Sequence, residues 1–230
     1  MLPFTAVSAM LRLGTKYQIH FLRADAIRRL EEYFPAQLSK FQNRWTTPGA
    51  LQESENFTAS SIQMELSHCI PTIDLARSHD LPHLLPPAFY LCSQLSLDVI
   101  FDGHIDSDGL TWKLSKEDMK RCLEGQQHLR AMAVAQKAFI IKAKESPDCR
   151  MRVVCGMYLS HGRDQFLTVP AVQNEVNCLL NASSAKALEL CSDCTRHYDE
   201  IQEASRNAMW ARLAELFRLT NVTWPPDGSS

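Results

Sequence analysis

Apolar residues recur at intervals of three and four along most of this chain, and this spacing constrains the fold more than any other feature. The first 34 residues show it clearly, since Ile19, Leu22 and Ala26 form one such series. Gly14 loosens the helix that precedes this series. Such spacing places side chains on one face of a helix. Pro35 ends the segment, because the residue before a proline is disfavoured in the helical conformation. The chain therefore begins with two amphipathic helices.

The same periodicity continues through the rest of the sequence. Ser115, with Asp118 three residues later, is typical of the start of a helix. That helix is the longest predicted, and Gly125 within it predicts a bend near residues 124–126. The tail from Thr195 to Leu219 is predicted as one long helix. The fold class is therefore mainly α, an irregular multi-helix bundle, and we expect strand in less than roughly a fifth of residues.

Composition shifts divide the chain into five segments. Residues 36–61 are polar and contain Pro48-Gly49, which is typical of a linker. Residues 97–113 are predicted as a turn between two helices, since the acidic residues there do not have calcium-loop spacing. The predicted segments are an N-terminal helical pair (1–35), a linker (36–61), a helical region (62–145), a cysteine-containing helical region (146–222) and a disordered tail (223–230).

Four stretches, in a fixed order along the chain, carry a family resemblance. They are LRLGTKYQIHFLRADAIRRLEEYFP, IDLARSHDLPHLLPPAFYLC, LSKEDMKRCLEGQQHL, and LCSDC followed by MWARLAELFRL. The first resembles the last two helices of a BTB (POZ) domain in the form found in fungal, basidiomycete-type proteins. The others are similar to the helical region that follows that domain. The resemblance implies that residues 1–35 are terminal BTB helices, followed by a BACK-like helical region.

The sheet and the dimerising part of a BTB domain would precede Met1, so the resemblance also implies a truncated form of the protein. Its oligomeric state stays open for that reason. The apolar face of the helical pair would then lack its partner. We therefore expect Val7, Met10, Leu11 and Leu22 to form an exposed apolar surface.

The function that this resemblance implies is a non-enzymatic scaffold or adaptor for protein partners. The partner would belong to a cullin-type ubiquitin ligase or to a chromatin complex, and the sequence does not choose between them. The sequence contains no G-x-S-x-G, phosphate loop, G-x-G-x-x-G, HExxH or kinase signature. We accordingly expect no enzymatic activity.

Charge and targeting signals favour a cytoplasmic or nuclear protein without a membrane partner. The formal net charge is −2, so no global field attracts nucleic acid or anionic lipid. The apolar N-terminus lacks the basic residues that precede the apolar run of a signal peptide, because Arg12 and Lys16 come after it. Three N-x-S/T sequons and eight cysteines are compatible with secretion but do not outweigh this.

Two cysteine pairs carry the chemical content of the sequence. Cys191 and Cys194 have C-x2-C spacing, and Cys149 and Cys155 are five residues apart. Two thiolates in such a knuckle can bind one metal ion, and a helix beginning near Cys194 would favour the thiolate form. The four cysteines therefore predict one structural zinc in a small zinc-knuckle-like module. Should Cys149 or Cys155 not take part, Cys178 and His161 are spare candidates.

Two other interpretations of these cysteines stay open: idle, partly buried thiols, and redox or disulfide pairing. Cys69, Cys92, Cys122 and Cys178 lie at apolar helical positions and are expected to be ordinary core residues. An alternative function is a metal-binding, transcription-associated protein that contacts nucleic acid through the Cys149–Cys194 module. Nearby arginines favour it, but neighbouring aspartates offset their charge, and nucleic acid is not the expected partner.

Overall fold

The computed structural model describes residues 1–44, 61–106, 108–142, 144–167, 178–179 and 189–225. Within these residues the protein is mainly helical, with 67% helix and 5% strand, and contains ten α-helices. The predicted fold class and the low strand content are therefore confirmed. Most of the predicted linker, Trp45 included, and most of the predicted disordered tail lie outside the described residues.

The ten helices are joined by short irregular segments and two small pairs of strands. The helices are α1 (Phe4–Lys16), α2 (His20–Tyr33), α3 (Leu38–Arg44), α4 (Cys69–Ser78), α5 (Leu85–Cys92), α6 (Leu97–Asp102), α7 (Lys116–Lys142), α8 (Arg152–Leu167), α9 (Ser192–Ala211) and α10 (Leu213–Leu216). The strands are β1 (Leu2–Pro3), β2 (Ile62–Gln63), β3 (His104–Ile105) and β4 (Thr111–Trp112), and 3-10 turns lie at Leu66–His68 and Pro82–Leu84. No helix in these ranges combines the length and apolarity that crossing a bilayer requires.

The chain divides into two compact units. Unit 1 consists of described residues within Met1–Gln126 and Ala211–Ser230, and unit 2 of those within Gln127–Trp210. This division falls inside α7 and next to the end of α9. The five segments inferred from composition follow different boundaries and stay predictions.

The N-terminal helices of unit 1 pack closely on each other. A Cβ on Gly14 would lie 2.7 Å from the backbone nitrogen of Arg23, so only glycine permits this approach. The predicted exposed surface of Val7, Met10, Leu11 and Leu22 is wrong for Val7 and Leu11, because both side chains are fully buried. Met10 and Leu22 are half-buried. The exposed apolar residues of this helical pair are instead Tyr17 and Phe21, together with Leu13.

A short pairing between distant segments brings residues 62–68 to the start of α1. β1 pairs in parallel with β2, so that Leu2 lies opposite Ile62. The ring of Phe4 then lies 4.6 Å from the ring of His68. Residues 62–68 therefore lie beside the start of α1, where the sequence-based interpretation left an open surface.

The predicted linker contains a helix at its start. In α3, Leu38 and Phe41 are buried, and the ring of Phe41 meets that of Tyr90 edge-on at 5.6 Å. Because α5 is buried along its whole length, Phe41 extends the core of unit 1. The chain after α2 is thus packed into this core as far as Phe41, and α3 ends at Arg44.

The segment predicted as a turn between helices forms α6 and the β3–β4 hairpin. Asp106 organises the hairpin, since its carboxylate accepts hydrogen bonds from the backbone N–H of Asp108 (3.0 Å) and Leu110 (2.9 Å) and from Trp112 Nε1 (3.0 Å). An aspartate that bonds to the backbone two residues on is a common device of tight turns. The Asp106 carboxylate therefore stabilises the turn itself.

α7 is one continuous helix through Gly125, and Gly125 has a packing role. A Cβ on Gly125 would lie 2.1 Å from Cε1 of Phe217. Phe217, which is fully buried, also packs on Phe89 with 5.5 Å between ring centroids. Glycine therefore allows the Phe217 ring to lie directly on the backbone of α7, and tertiary packing outweighs its low helix propensity.

The predicted single tail helix is interrupted. α9 ends at Ala211, Arg212 leaves the helical conformation (φ −101°, ψ 6°), and α10 follows over one turn. Arg218, with a positive φ of 49°, ends α10. Leu213 and Phe217 are fully buried in unit 1. The interruption thus makes the last turn a separate element of that core.

We predict that Gly125→Ala destabilises the protein although alanine is the better helix former. The gain in helix propensity is about 1 kcal/mol, whereas forcing a methyl group into a filled core typically costs about 1–3 kcal/mol. Chemical denaturation should show a net loss of unfolding free energy. In a Phe217→Ala background the same substitution should become neutral or stabilising. Equal effects in both backgrounds would contradict the packing role.

Candidate metal centre

The four cysteines of the predicted zinc module lie at the starts of two helices in unit 2. Cys149 lies in the turn before α8, and Cys155 lies in the first turn of that helix. Cys191 directly precedes α9, and Cys194 lies in its first turn, as predicted. Each pair therefore combines one residue outside a helix with one inside it.

Local hydrogen bonds fix the first pair. The carbonyl of Ser146 accepts a hydrogen bond from the N–H of Cys149 at 3.0 Å, and its hydroxyl accepts one from the N–H of Asp148 at 3.3 Å. This tight turn is typical of serine followed by proline. The N–H of Cys155 donates to the carbonyl of Met151 at 2.9 Å, which begins α8.

The second pair is fixed by the start of α9. The N–H of Thr195 donates to the carbonyl of Cys191 at 2.9 Å. Ser192 and Asp193 form the first residues of the helix, and Asp193 pairs with Arg196 at 2.7 Å. An acidic residue in the first turn also complements the positive end of the helix dipole. Cys191 and Cys194 are therefore held one helical turn apart on the same side of this helix start.

The two pairs converge on one point. All four sulfur atoms lie within 4.8 Å of one another, and the sulfurs of Cys149 and Cys191, which are 42 residues apart, are separated by 3.8 Å. A tetrahedral zinc ion with bonds of about 2.3 Å requires its sulfur ligands to be about 3.8 Å apart. The arrangement thus has the size of a site for a single ion.

Backbone N–H groups surround the sulfurs. The N–H of Ser146 points at Cys194 Sγ (3.3 Å), and the N–H of Cys191 points at Cys155 Sγ (3.5 Å). Cys149, Cys155 and Cys194 are buried, with Leu190 packed against them. Donors directed at sulfur stabilise thiolates, and neighbours of this kind orient and tune the ligands of a metal site.

The local environment separates the thiol pKa values within the cluster. The backbone N–H of Cys194, more than any other group, lowers the pKa of Cys191 to about 7. Burial raises the pKa of Cys194 to about 12, and burial also raises that of Cys155. Several thiolates packed this closely repel one another. A bound divalent cation is the component that would allow all four to be charged.

The cysteines of unit 1 have a different environment. Cys69, Cys92 and Cys122 are almost completely buried. Hydrogen bonding to Cys92, followed by burial, raises the pKa of Cys122 far above its usual range. They do not form a metal-sized group among the described residues. These thiols therefore suit a packing role, as their apolar sequence positions indicate.

The two spare ligand candidates lie outside the cluster. Cys178 is buried beside Leu179, and His161 is exposed on α8. Neither belongs to the only group of three or more metal-ligating side chains found in the described part of the chain. Ser146 is a part of the site that the sequence did not predict. The Ser-Pro pair before Cys149 indicates a turn there, but the direction of the Ser146 N–H depends on tertiary contacts.

Comparisons with known proteins add no family assignment. No family model, no curated protein and no solved structure matches this chain. The similarity of the four stretches to BTB proteins therefore stays a prediction, and the site rests on its own geometry.

Proposed function

We propose that the protein binds one zinc ion through Cys149, Cys155, Cys191 and Cys194, and that the ion has a structural role. The observation that carries this proposal is the convergence of four sulfurs from two distant pairs within 4.8 Å. Tetrahedral sites with four cysteine ligands are typical of structural zinc, because no position is left for substrate or water. Soft thiolate ligands also exclude magnesium and calcium as preferred ions.

The ion would connect the start of α8 to the start of α9. Cys149 and Cys191, one ligand from each region, are 42 residues apart in sequence. Closing a long loop in this way reduces the conformational freedom of the unfolded chain. The binding free energy of a structural zinc is largely folding free energy. Zinc would therefore stabilise unit 2.

We predict that purified protein contains about one zinc ion per chain and that Cys191→Ala abolishes tight binding. The variant should lose a few kcal/mol of unfolding free energy, and chelator should destabilise the wild type but not the variant. Elemental analysis and chemical denaturation with and without chelator measure both effects.

The matched control is Cys92→Ala, which removes a buried thiol in unit 1. It should retain zinc and its chelator response, and any loss of stability should be that of a small core cavity. Zinc-free protein whose stability is unaffected by added zinc or chelator would reduce the four residues to ordinary thiols.

A second proposal concerns the chain as a whole: it acts as a non-enzymatic scaffold or adaptor for protein partners. The BTB resemblance supports this role, and so does α8, on which Val153 and Met157 are 79% and 68% exposed. The two residues are four apart and therefore lie on one face of the helix, and contiguous exposed apolar surface marks interaction sites. A cullin-type ligase and a chromatin complex are the two partner classes. A nucleic-acid role is less well supported, since Arg196 pairs with Asp193 and Arg152 donates to the Pro147 carbonyl.

We predict that the purified chain binds a purified cullin or a reconstituted nucleosome, measured by calorimetry. Met157→Lys should weaken this binding by about tenfold or more, as truncating or charging an interface anchor does. Ser160→Lys, at another exposed position of α8, should have little effect and serves as the matched control. The proposal would be contradicted if the chain bound neither partner, or if the two substitutions weakened binding equally.

A further inference from the structure

The four cysteines of the centre differ in their exposure to solvent. Cys149 is 7% exposed, Cys155 1% and Cys194 3%, whereas Cys191 is only partly buried. Cys191 precedes α9 and is followed by the exposed Ser192. A small reagent from solvent therefore reaches the Cys191 side of the cluster first.

The sulfur of Cys149 is positioned to react with an oxidised Cys191. The two Sγ atoms are 3.8 Å apart, and a disulfide requires about 2.05 Å. Cys149 lies in a turn outside α8, so it can approach Cys191 with less disturbance than a residue within a helix. By contrast, Cys194 lies within α9 and its sulfur accepts the Ser146 N–H, while that of Cys155 accepts the Cys191 N–H.

We propose that the centre is a site of oxidative modification by a hydroperoxide, at which Cys191 is oxidised first and a Cys149–Cys191 disulfide forms with release of the metal. This inference rests on the proposed zinc function. It adds a reactant class and a regulatory consequence to that site.

The chemistry balances with the hydroperoxide as the only oxidant. The Cys191 sulfur attacks one peroxide oxygen and the O–O bond breaks, which gives a sulfenic acid and, for hydrogen peroxide, hydroxide. The Cys149 thiolate then attacks the Cys191 sulfur, forms the S–S bond and displaces a second hydroxide. Two protons convert the hydroxides to water. Two thiolates are oxidised to one disulfide, and one peroxide is reduced.

The structural consequence is the loss of two of the four ligands. Cys155 and Cys194 alone cannot complete a closed tetrahedral site, so the zinc ion dissociates. The disulfide keeps the covalent connection between the turn before α8 and the start of α9, but the stabilisation supplied by the ion is lost. Oxidation would thus loosen unit 2 without separating these two segments.

The experiment treats zinc-loaded full-length protein with hydrogen peroxide and follows metal release with a chromogenic chelator. Peptide mass spectrometry then maps the disulfide. We expect zinc release together with a Cys149–Cys191 disulfide, both reversed by dithiothreitol and added zinc. Zinc that stays bound, or a Cys191–Cys194 disulfide in place of the proposed one, would overturn the inference.

Two matched variants separate oxidation from simple weakening of the site. Cys191→His and Cys155→His each keep four ligands of a type found in structural zinc sites. Peroxide should release zinc from the Cys191→His protein about tenfold more slowly than from wild type, because its accessible thiolate is gone. The Cys155→His protein retains both reacting cysteines, so peroxide should still form the Cys149–Cys191 disulfide in it; equal protection by both substitutions would count against the assignment of Cys191.

The zinc content before peroxide is added distinguishes failure of the proposed zinc binding from failure of the proposed oxidation. Protein that never binds zinc contradicts the proposed function itself. Protein that binds zinc but resists peroxide contradicts only the oxidation step. The wild-type disulfide map remains decisive should either histidine variant fail to fold.

Discussion

The convergence of four cysteine sulfurs from two distant pairs is the constraint on which the account of unit 2 rests. Four sulfurs lie within 4.8 Å of one another, and three of the four cysteines are buried. Without a cation, only a neutral or mostly neutral cluster can persist at such a distance in a poorly solvated site. The backbone groups of Ser146 and Cys191 direct N–H donors at two of the sulfurs. Burial keeps these two thiols neutral, and a bound divalent metal would supply the charge that their thiolate forms require.

The same residue type has a different role in unit 1. Cys92 is completely buried near Cys69 and Cys122, and its pKa is raised well above the ordinary value by this environment. The surrounding core is built from aromatic contacts such as Phe89 with Phe217 and Phe41 with Tyr90. Stability there follows from apolar burial. Four converging sulfurs, rather than cysteine content, therefore distinguish a candidate ligand set from packing residues.

Local patterns in the sequence predicted the helices and the cysteine cluster, but not the contacts between distant segments. The apolar spacing identified α1 and α2, and C-x2-C spacing identified Cys191 and Cys194, since both signals lie within a few residues. Leu2 pairs with Ile62, 60 residues away, and no local pattern in the sequence indicates such a pairing. Similarly, Gly125 predicts a bend by propensity, but the Phe217 ring, distant in sequence, determines its role.

The most direct test of a single structural zinc is X-ray absorption at the zinc edge of the purified protein. A zinc ion bound by the four cysteines should give one shell of four sulfur atoms at about 2.3 Å and no nitrogen or oxygen ligand. The spectrum should lose this shell in a variant that lacks Cys191. A shell dominated by nitrogen or oxygen would show that zinc binds elsewhere, and would contradict the assignment of the four cysteines as its ligands.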